Sequence, residues 1–225
     1  MYKRQVLGSG PGGYVAAIRA SQLGMKVAII ERENLGGICL NWGCIPTKAL
    51  LKSAQVFNYI NHAEDYGITI SKASADFGAM IKRSRGVADG MSKGVTFLMK
   101  KNKITVIDGE GRLARGKKIV VTDSKGSKKE YTANNIILAT GARAKALPGI
   151  DIDGKKIIGY REAMSLKKQP KKMIVIGAGA IGVEFAYFYN SLGTEVTVVE
   201  YMENGLLPRE DKDVSKELNL SLIHI

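Results

Sequence analysis

The sequence predicts an α/β protein organised around two strand–helix–strand repeats. Residues 6–31, VLGSGPGGYVAAIRASQLGMKVAIIE, match residues 175–200, VIGAGAIGVEFAYFYNSLGTEVTVVE, element for element. Each repeat has the pattern of an apolar strand, a glycine-rich turn, an amphipathic helix ending at Leu-Gly, and a second apolar strand that closes on a glutamate. These observations predict two βαβ units.

The glycines of the two turns share one spacing. They are Gly8, Gly10 and Gly13 in the first repeat and Gly177, Gly179 and Gly182 in the second. In such a turn the first glycine permits the tight bend, the second lets a pyrophosphate approach the backbone, and the third lets the helix and strand pack closely. The phosphates then lie at the positive N-terminus of the helix. We therefore predict two Rossmann-like dinucleotide-binding units.

A carboxylate closes the second strand of each repeat. Glu31 and Glu200 lie at the same distance beyond the first glycine of their turns, where a carboxylate accepts hydrogen bonds from a ribose hydroxyl. At Glu200 the negative charge would also repel a 2′-phosphate, which favours NAD over NADP. Two such fingerprints, each between a strand and a helix, favour dinucleotide binding over turns that only pack helices.

The chain between the repeats predicts helices first and strands afterwards. Residues 46–65 and 74–102 have the pattern of two long helices, joined around DYGITIS with a break at Gly67. Residues 104–138 have the pattern of short strands, with a polar turn at residues 124–128. We assign this whole segment to the domain of the first repeat.

A domain boundary is predicted at the end of the segment IILATGARAKALPGI. An apolar strand is followed there by Pro148 and Gly149, residues that mark turns and loops. We place the first domain at residues 1–149 and the second at residues 150–225.

Composition excludes several other classes of protein. The chain has 225 residues, of which 45% are apolar and 24% charged, as in a globular protein with a buried core. It has no apolar run long enough to span a bilayer and no secretory signal, so we expect a cytoplasmic protein without a membrane partner. The net charge is +13, and the Lys and Arg residues are scattered along the chain. Even the dense run LKKQPKK has no nucleic-acid motif beside it. We interpret the positive charge as a solvated surface without a nucleic-acid partner.

Both cysteines of the chain, Cys39 and Cys44, lie in the segment GGICLNWGCIPTKAL. In a reducing compartment two cysteines seldom serve as a structural cross-link, which favours a chemical role. A zinc site is the weaker alternative, because zinc takes four ligands and the histidines, His62 and His224, are remote in sequence. We predict no metal.

The two glycine fingerprints, the cysteine segment and IILATGARAKALPGI, in this order, resemble the flavoprotein disulfide reductases. The likeness runs from about Val6 to about Leu218 and covers about the first half of such an enzyme. It implies that the first fingerprint binds FAD and the second NAD, and that the FAD and NAD domains are both incomplete here. Further cofactor-binding residues implied by the resemblance are Gly111, Thr140, Gly141 and Ala142.

Within that family the motif CLNWGCIPTKAL is more similar to the dihydrolipoamide dehydrogenases than to the glutathione reductases, whose motif typically ends with two adjacent lysines. A mercuric reductase remains an alternative. The resemblance implies that electrons pass from dihydrolipoamide, on the lipoyl carrier protein of a 2-oxoacid dehydrogenase complex, through the disulfide and FAD to NAD in a homodimer. A nonenzymatic dinucleotide-binding or assembly fragment is the alternative from another class.

The resemblance also implies roles for single residues. Cys39 would be the interchange thiol attacked by dihydrolipoamide, and Cys44 would be the sulfur beside the flavin, where a nearby helix start favours its thiolate. Lys48 would lie at the flavin and pair with Glu184, which would join the FAD and NAD halves.

A disulfide between the two cysteines requires a local break in the helix. On a regular α-helix, residues five apart have Cα atoms about 8 to 9 Å apart, whereas a disulfide tolerates at most about 7 Å. We expect the segment to bulge or unwind at Gly43, with Pro46 after it. Such a strained bridge should be reduced more easily than a structural one.

Both ends of the chain depart from the family pattern. Lys3, Arg4 and Gln5 occupy a strand that should be apolar and buried. Burial of the two cations would cost several kcal/mol each unless the strand frays. At the other end the apolar run NLSLIHI interrupts the charged pattern REDKDVSKEL. We expect residues 1–5 and 219–225 to be foreign sequence joined to a gene fragment, such as translated sequencing adapter.

The resemblance implies an active-site base that this chain lacks, a histidine backed by a glutamate on the partner subunit's interface domain. His62 lies on a surface-type helix and His224 belongs to the suspect tail, so neither fits that role. We therefore expect the fragment to retain FAD weakly or not at all and to be inactive.

Overall fold

A computed structural model describes residues 2–203 and 205–222, with side chains through residue 221. The chain divides into two compact units by contact. The first consists of the chain up to Pro46 together with Arg85–Arg161, and the second of Thr47–Ser84 together with the chain from Glu162 onward. These units group residues by contact, and the functional boundary at residue 149 stays a prediction.

The first repeat forms the expected βαβ unit. Strand β1, Tyr2–Leu7, leads to helix α1, Pro11–Gln22, and then to strand β2, Val27–Glu31. The two strands are parallel, with Val6 opposite Ile29. Helix α1 begins at a proline, which the first helical position tolerates because its N–H would have no partner within the helix.

Four later strands extend this sheet. They are β3 Thr105–Asp108, β4 Glu110–Ala114, β5 Lys118–Thr122 and β6 Lys128–Leu138. The six-stranded order is β3-β2-β1-β6-β5-β4, in which β3, β2, β1 and β6 are parallel while β5 and β4 continue antiparallel. The predicted strands and the polar turn between β5 and β6 are confirmed.

The predicted helices are also present. The first is α3, Cys44–Asn61, followed by a short 3₁₀ helix, Ala63–Tyr66, and the second is α4, Phe77–Lys101. A further short helix that was not predicted, α2 Gly37–Trp42, precedes them. Gly67 follows the 3₁₀ helix with a φ of +69°, a left-handed conformation that glycine adopts without steric cost. The predicted break at this glycine is therefore confirmed.

The core of the first unit lies on both faces of the parallel strands. Successive residues of a strand point to opposite faces, so Val6 and Ile29 join one apolar cluster, which also contains Met99 of α4. Leu7 and Ile30 join the cluster on the other face. Burial on both sides explains why β2 reads as an apolar run rather than as an alternating pattern.

The second repeat forms the parallel pair of the second unit. After the helical turn α5, Tyr160–Ala163, come β7 Lys172–Ile176, α6 Ala180–Ser191, β8 Glu195–Val199 and α7 Lys212–Leu222. Strands β7 and β8 pair in parallel. The α/β fold with two βαβ units is thus confirmed. Within the described part of the chain, no helix combines the length and apolarity that crossing a membrane requires.

Aromatic side chains form the core of the second unit. The rings of Phe188 and Tyr189 meet edge to face at 5.1 Å, and that of Phe77 lies 6.1 Å from Phe188. The Tyr189 hydroxyl donates a 2.6 Å hydrogen bond to the Ala163 carbonyl. Burial raises the pKa of Tyr189, because a low-dielectric surrounding disfavours the phenolate. Tyr189 therefore stays a neutral donor.

The expectation that Lys3 and Arg4 enter a buried strand is wrong. Lys3 is exposed, and Arg4 is half-buried with its Nε 3.4 Å from the sulfur of Met25. The ladder with β2 begins at Arg4, whereas the ladder with β6 begins at Tyr2, so the strand is formed from its first residues although Lys3 is exposed. Within β1 the polar residue Gln5 is fully buried, and its amide has no hydrogen-bond partner among the described residues.

The apolar run near the C-terminus does not end the helix in which it lies. Helix α7 continues through Leu222, and the amide of Asn219 donates to the Ser215 carbonyl one turn earlier at 2.8 Å. Residues 223–225, which include His224, lie outside the described residues. A foreign origin of either end stays a prediction.

Candidate functional site

A cavity of about 360 Å³ lies in the first unit, at the carboxyl ends of β1 and β2. Ligands of open α/β sheets bind at this end of the parallel strands, beyond their last residues. The predicted site residues that line the cavity are Gly8, Gly10, Glu31, Cys39, Gly111, Thr140, Gly141 and Ala142. The fold thus brings together side chains and backbone from five separate places in the sequence.

Two glycines of the first turn are closely packed, and the glycine between them is not. Gly8 has a φ of +98°, and a Cβ placed on it would lie 2.2 Å from the carbonyl oxygen of Ala139. A Cβ on Gly13 would lie 1.9 Å from the carbonyl oxygen of Gly8, so the helix packs directly on the turn. At Gly10, by contrast, no described atom lies within 4 Å of that position apart from those of the adjoining chain. The space over Gly10 is open to a phosphate.

The second glycine turn repeats this geometry in the second unit. Gly177 has a φ of +102°, and a Cβ on Gly182 would lie 2.0 Å from the Gly177 carbonyl oxygen. The position over Gly179 is again open within the described residues. The two turns are therefore alike in backbone conformation as well as in sequence.

The two closing glutamates fold back onto their own turns. Oε2 of Glu31 accepts hydrogen bonds from the backbone N–H of Ser9 at 3.0 Å and from its hydroxyl at 2.6 Å. Oε1 of Glu31 accepts from the backbone N–H groups of Arg32 and Glu33, both at 2.9 Å. The carboxylate is therefore held at the edge of the cavity by four donors.

Glu200 is held in a similar way in the second unit. The backbone N–H of Ala178 donates to Oε2 at 2.7 Å, and those of Tyr201 and Met202 donate to Oε1 at 2.8 and 2.9 Å. The bonds from Met202 and Ala178 lower the pKa of Glu200, because they stabilise the charged form. The group is thus a carboxylate at neutral pH.

The two cysteines form a disulfide at a break between helices. Helix α2 ends at Trp42, Gly43 separates the helices, and α3 begins at Cys44. The break brings the Cα atoms of Cys39 and Cys44 to 4.8 Å. A Cβ on Gly43 would lie only 3.2 Å from the Cα of Cys39. The predicted pairing and the predicted break at Gly43 are confirmed.

The two sulfurs differ in their surroundings. Cys39 is half-buried and lines the cavity, whereas Cys44 is exposed and is the first residue of α3. The free N–H groups of a helix start stabilise a thiolate. Exposure alone does not distinguish the interchange thiol from the flavin-side sulfur, so the roles assigned from the resemblance stay predictions.

Lys48 and Glu184 form an ion pair in the second unit. The Nζ of Lys48 lies 2.5 Å from Oε1 of Glu184, with side-chain exposures of 61% and 28%. A pair this exposed contributes little to folding stability. The pairing agrees with the resemblance, and the flavin-side role stays a prediction.

A model of the pyridine nucleotide-disulphide oxidoreductase family matches residues 2–224. The chain belongs to this family. Two similar curated relatives of the family are the dihydrolipoyl dehydrogenases of Rhizobium etli and Zymomonas mobilis, 53% and 52% identical to the chain. Each match covers 93% of this chain but only 47% and 45% of the relative. The chain therefore spans about half the length of these relatives.

Two solved structures have the same fold as this chain. The crystal structure of LpdA from Mycobacterium tuberculosis matches with a TM-score of 0.88 at 29% identity, covering 99% of this chain and 50% of that one. The Escherichia coli flavoprotein disulfide reductase RclA, solved as a Cu(II) complex, matches with a TM-score of 0.84 at 28% identity, covering 99% and 47%. The family resemblance stated from the sequence is confirmed.

The sequence analysis missed a cluster of charged side chains around Trp42. The guanidinium groups of Arg85 and Arg161 lie 4.4 and 5.3 Å from the centre of the Trp42 ring. Arg161 also forms a 2.8 Å ion pair with Glu33. These four residues are called the Trp42 cluster below. The position of Trp42 between the cysteines was a signal, but nothing in the sequence joins it to arginines so far along the chain.

His62 takes no part in the cavity of the first unit. It is exposed just after α3, and its Nδ1 lies 2.8 Å from the carbonyl oxygen of Asn58. This surface position agrees with the expectation that His62 is not the active-site base of the family.

Proposed function

We propose that this chain is the N-terminal half of a dihydrolipoamide dehydrogenase, which passes electrons from dihydrolipoamide through Cys39 and Cys44 and FAD to NAD. The observation that carries the proposal is the disulfide at the start of α3, whose Cys39 lines a cavity beside a dinucleotide-binding turn. The names of the curated relatives support the substrate.

The residues around the cavity fit FAD. The backbone over Gly10 is open to phosphate, and the N-terminus of α1 directly follows it, which suits an anionic group. Glu31 lies at the edge where a ribose hydroxyl is expected. The volume of about 360 Å³ is within the range of cofactor sites. When bound, FAD supplies a two-electron acceptor for the dithiol and a donor to NAD.

The disulfide accounts for the first half of the reaction. A thiolate of dihydrolipoamide attacks the sulfur of Cys39, the Sγ–Sγ bond breaks, and Cys44 leaves as a thiolate. The second substrate thiol then displaces Cys39, so the substrate becomes a cyclic disulfide and the chain holds two reduced cysteines. The helix start at Cys44 stabilises the charge that develops there.

The second unit supplies the nicotinamide nucleotide site of the proposal. The turn from Gly177 to Gly182 presents the N-terminus of α6 to a pyrophosphate. Glu200, held as a carboxylate, favours the ribose of NAD over the 2′-phosphate of NADP. Lys48, paired with Glu184, is proposed to lie at the flavin.

The remaining parts of the proposal concern partners and location. Dihydrolipoamide dehydrogenases work as homodimers within 2-oxoacid dehydrogenase complexes, and we propose the same partners, with the lipoyl carrier protein as donor. The proposed location is the cytoplasm, where reactive cysteines work against a reducing pool.

The test uses the full-length gene product and the chain itself. The full-length protein should reduce NAD with dihydrolipoamide and should show a long-wavelength charge-transfer band on reduction, which requires both bound flavin and the Cys44 thiolate. Oxidised glutathione and Hg²⁺ are the comparison substrates. A preference for either of them, or a colourless protein without dithiol oxidation, would contradict the proposal.

A further inference from the structure

The Trp42 cluster lies at the end of the helix that carries Cys39. Trp42 is the last residue of α2 and the only tryptophan in the sequence. Two guanidinium groups lie over its ring, and one of them is anchored by Glu33. A cation above an indole ring is attracted by the ring quadrupole, more strongly when the cation is desolvated. The cluster therefore restrains the position of Trp42.

Arg85 also caps the same helix. Its Nη2 donates a 2.5 Å hydrogen bond to the carbonyl of Asn41, one of the C-terminal carbonyls that have no partner within a helix. A positive charge at this end also complements the helix dipole. The Nε of Arg85 is buried without a partner within the described residues, so this guanidinium is partly removed from water.

The rest of α2 is tied to its surroundings by neutral hydrogen bonds. The amide of Asn41 donates to the carbonyls of Leu35 and Gly37, both at 3.0 Å, and the Ser92 hydroxyl donates to Leu35 at 2.9 Å. Both ends of this short helix are thus held. Six residues are too few for a helix to persist by itself, so its position depends on these contacts.

The position of α2 decides whether the cysteines can bond. The helix break after Trp42 brings the two Cα atoms to 4.8 Å, whereas a continuous helix would hold them about 8 to 9 Å apart. In the dithiol state no covalent bond enforces the break. Contacts that hold Trp42 at the break therefore favour the state in which the disulfide forms.

We propose that Trp42, held by Arg85 and Arg161, is a positioning residue that shifts the equilibrium of Cys39 and Cys44 toward the disulfide. The inference rests on the proposed function in that it takes the pair to be redox-active. The reaction is exchange with a dithiol: the Sγ–Sγ bond breaks, two protein thiols form, and the dithiol becomes a disulfide, with two electrons and two protons transferred.

The experiment measures this equilibrium in the chain itself. The protein is equilibrated in buffers of reduced and oxidised dithiothreitol, thiols are trapped by alkylation, and the dithiol fraction is read by mass spectrometry. The variants are Trp42→Leu and Arg161→Met, with Trp42→Phe and Arg161→Lys as conservative partners. Arg115→Met, which changes an exposed arginine in the turn after β4, is the matched control.

Trp42→Leu and Arg161→Met should raise the ratio of dithiol to disulfide roughly threefold to tenfold, the factor expected for one or two cation–π contacts. Trp42→Phe and Arg161→Lys should restore most of the original ratio, because an aromatic face and a cation remain. Arg115→Met should leave the ratio unchanged. In Arg161→Met the emission of Trp42 should also become easier to quench with acrylamide.

Several outcomes would overturn the inference. An unchanged ratio, a shift toward disulfide, or an equal shift in Arg115→Met would each do so. Equal loss of thermal stability in both redox states, with no change in ratio, would show a structural role only and also overturn it. If Trp42→Leu does not fold, Arg161→Met decides. The experiment uses no FAD, NAD or dihydrolipoamide. Its outcome therefore does not depend on whether the proposed enzymatic function is correct.

Discussion

The hydroxyl of Ser9 donates a 2.6 Å hydrogen bond to Oε2 of Glu31, the same oxygen that accepts the backbone N–H of Ser9 at 3.0 Å. In the second turn the equivalent residue is Ala178, which donates only its backbone N–H to Glu200. Within the described residues, Glu31 therefore accepts four hydrogen bonds and Glu200 accepts three.

The Glu200 carboxylate predicts the nucleotide preference of the second turn. The full-length protein should turn over NAD faster than NADP, because the negative charge of Glu200 would repel a 2′-phosphate. Glu200→Arg should weaken this preference, so that the kcat/KM values for NAD and NADP become more similar. Equal turnover of both nucleotides before mutation would show that Glu200 does not set the preference.

The Ser9 hydroxyl predicts a stability effect in the first turn. Ser9→Ala should lower the free energy of unfolding of the chain by about 1 to 2 kcal/mol, because a hydrogen bond to a charged acceptor is lost. Urea denaturation measures the change. Ser84→Ala, which removes an equally buried hydroxyl that donates to the neutral carbonyl of Ile81, is the control and should cost less. Equal losses of stability in the two variants would mean that the charge on Glu31 does not strengthen its hydrogen bond with Ser9.

The buried amide of Gln5 predicts a stabilising substitution. Gln5 is fully buried in the central strand β1, and its amide has no partner among the described residues. Gln5→Val should raise the free energy of unfolding by about 1 to 3 kcal/mol, the penalty of an unpaired buried polar group. Lys3→Val, on the exposed start of the same strand, should change it by less than about 0.5 kcal/mol. A destabilised Gln5→Val would indicate an unrecognised partner.

The cysteine roles predict different outcomes for the two serine variants. In the full-length protein Cys39→Ser should abolish dihydrolipoamide oxidation and leave Cys44 able to form a thiolate beside oxidised flavin. Cys44→Ser should remove the charge-transfer band as well. Visible spectra and dithiol oxidation rates measure both. Normal turnover by Cys39→Ser would show that Cys39 is not the interchange thiol, an outcome that the greater exposure of Cys44 makes important to test.

Residues 1–225 alone should show no measurable dihydrolipoamide-dependent reduction of NAD. The chain spans about half the length of its curated relatives. The resemblance implies a histidine that accepts the substrate's proton and makes it a thiolate, and no residue of this chain matches that histidine. Bound FAD should be weak or absent, which the absorbance of the purified chain measures. A yellow sample with turnover near that of a full-length relative would contradict this.

Local patterns in the sequence determined much of the fold. The glycine spacing and the apolar runs predicted both βαβ units, because these features depend on the conformations of consecutive residues. The break at Gly43 followed in the same way, since a distance limit between Cys39 and Cys44 acts over five residues. Such constraints can be read without knowing the tertiary structure.

Only the tertiary structure decided which residues from distant segments meet. The order of strands placed β6 beside β1, and the packing of the sheet left Lys3 exposed while Gln5 was buried. Helix packing brought Arg85 to Trp42. The physical reason is that burial and long-range contacts depend on how whole elements pack. The sequence on either side of a residue does not specify which distant residues it will contact.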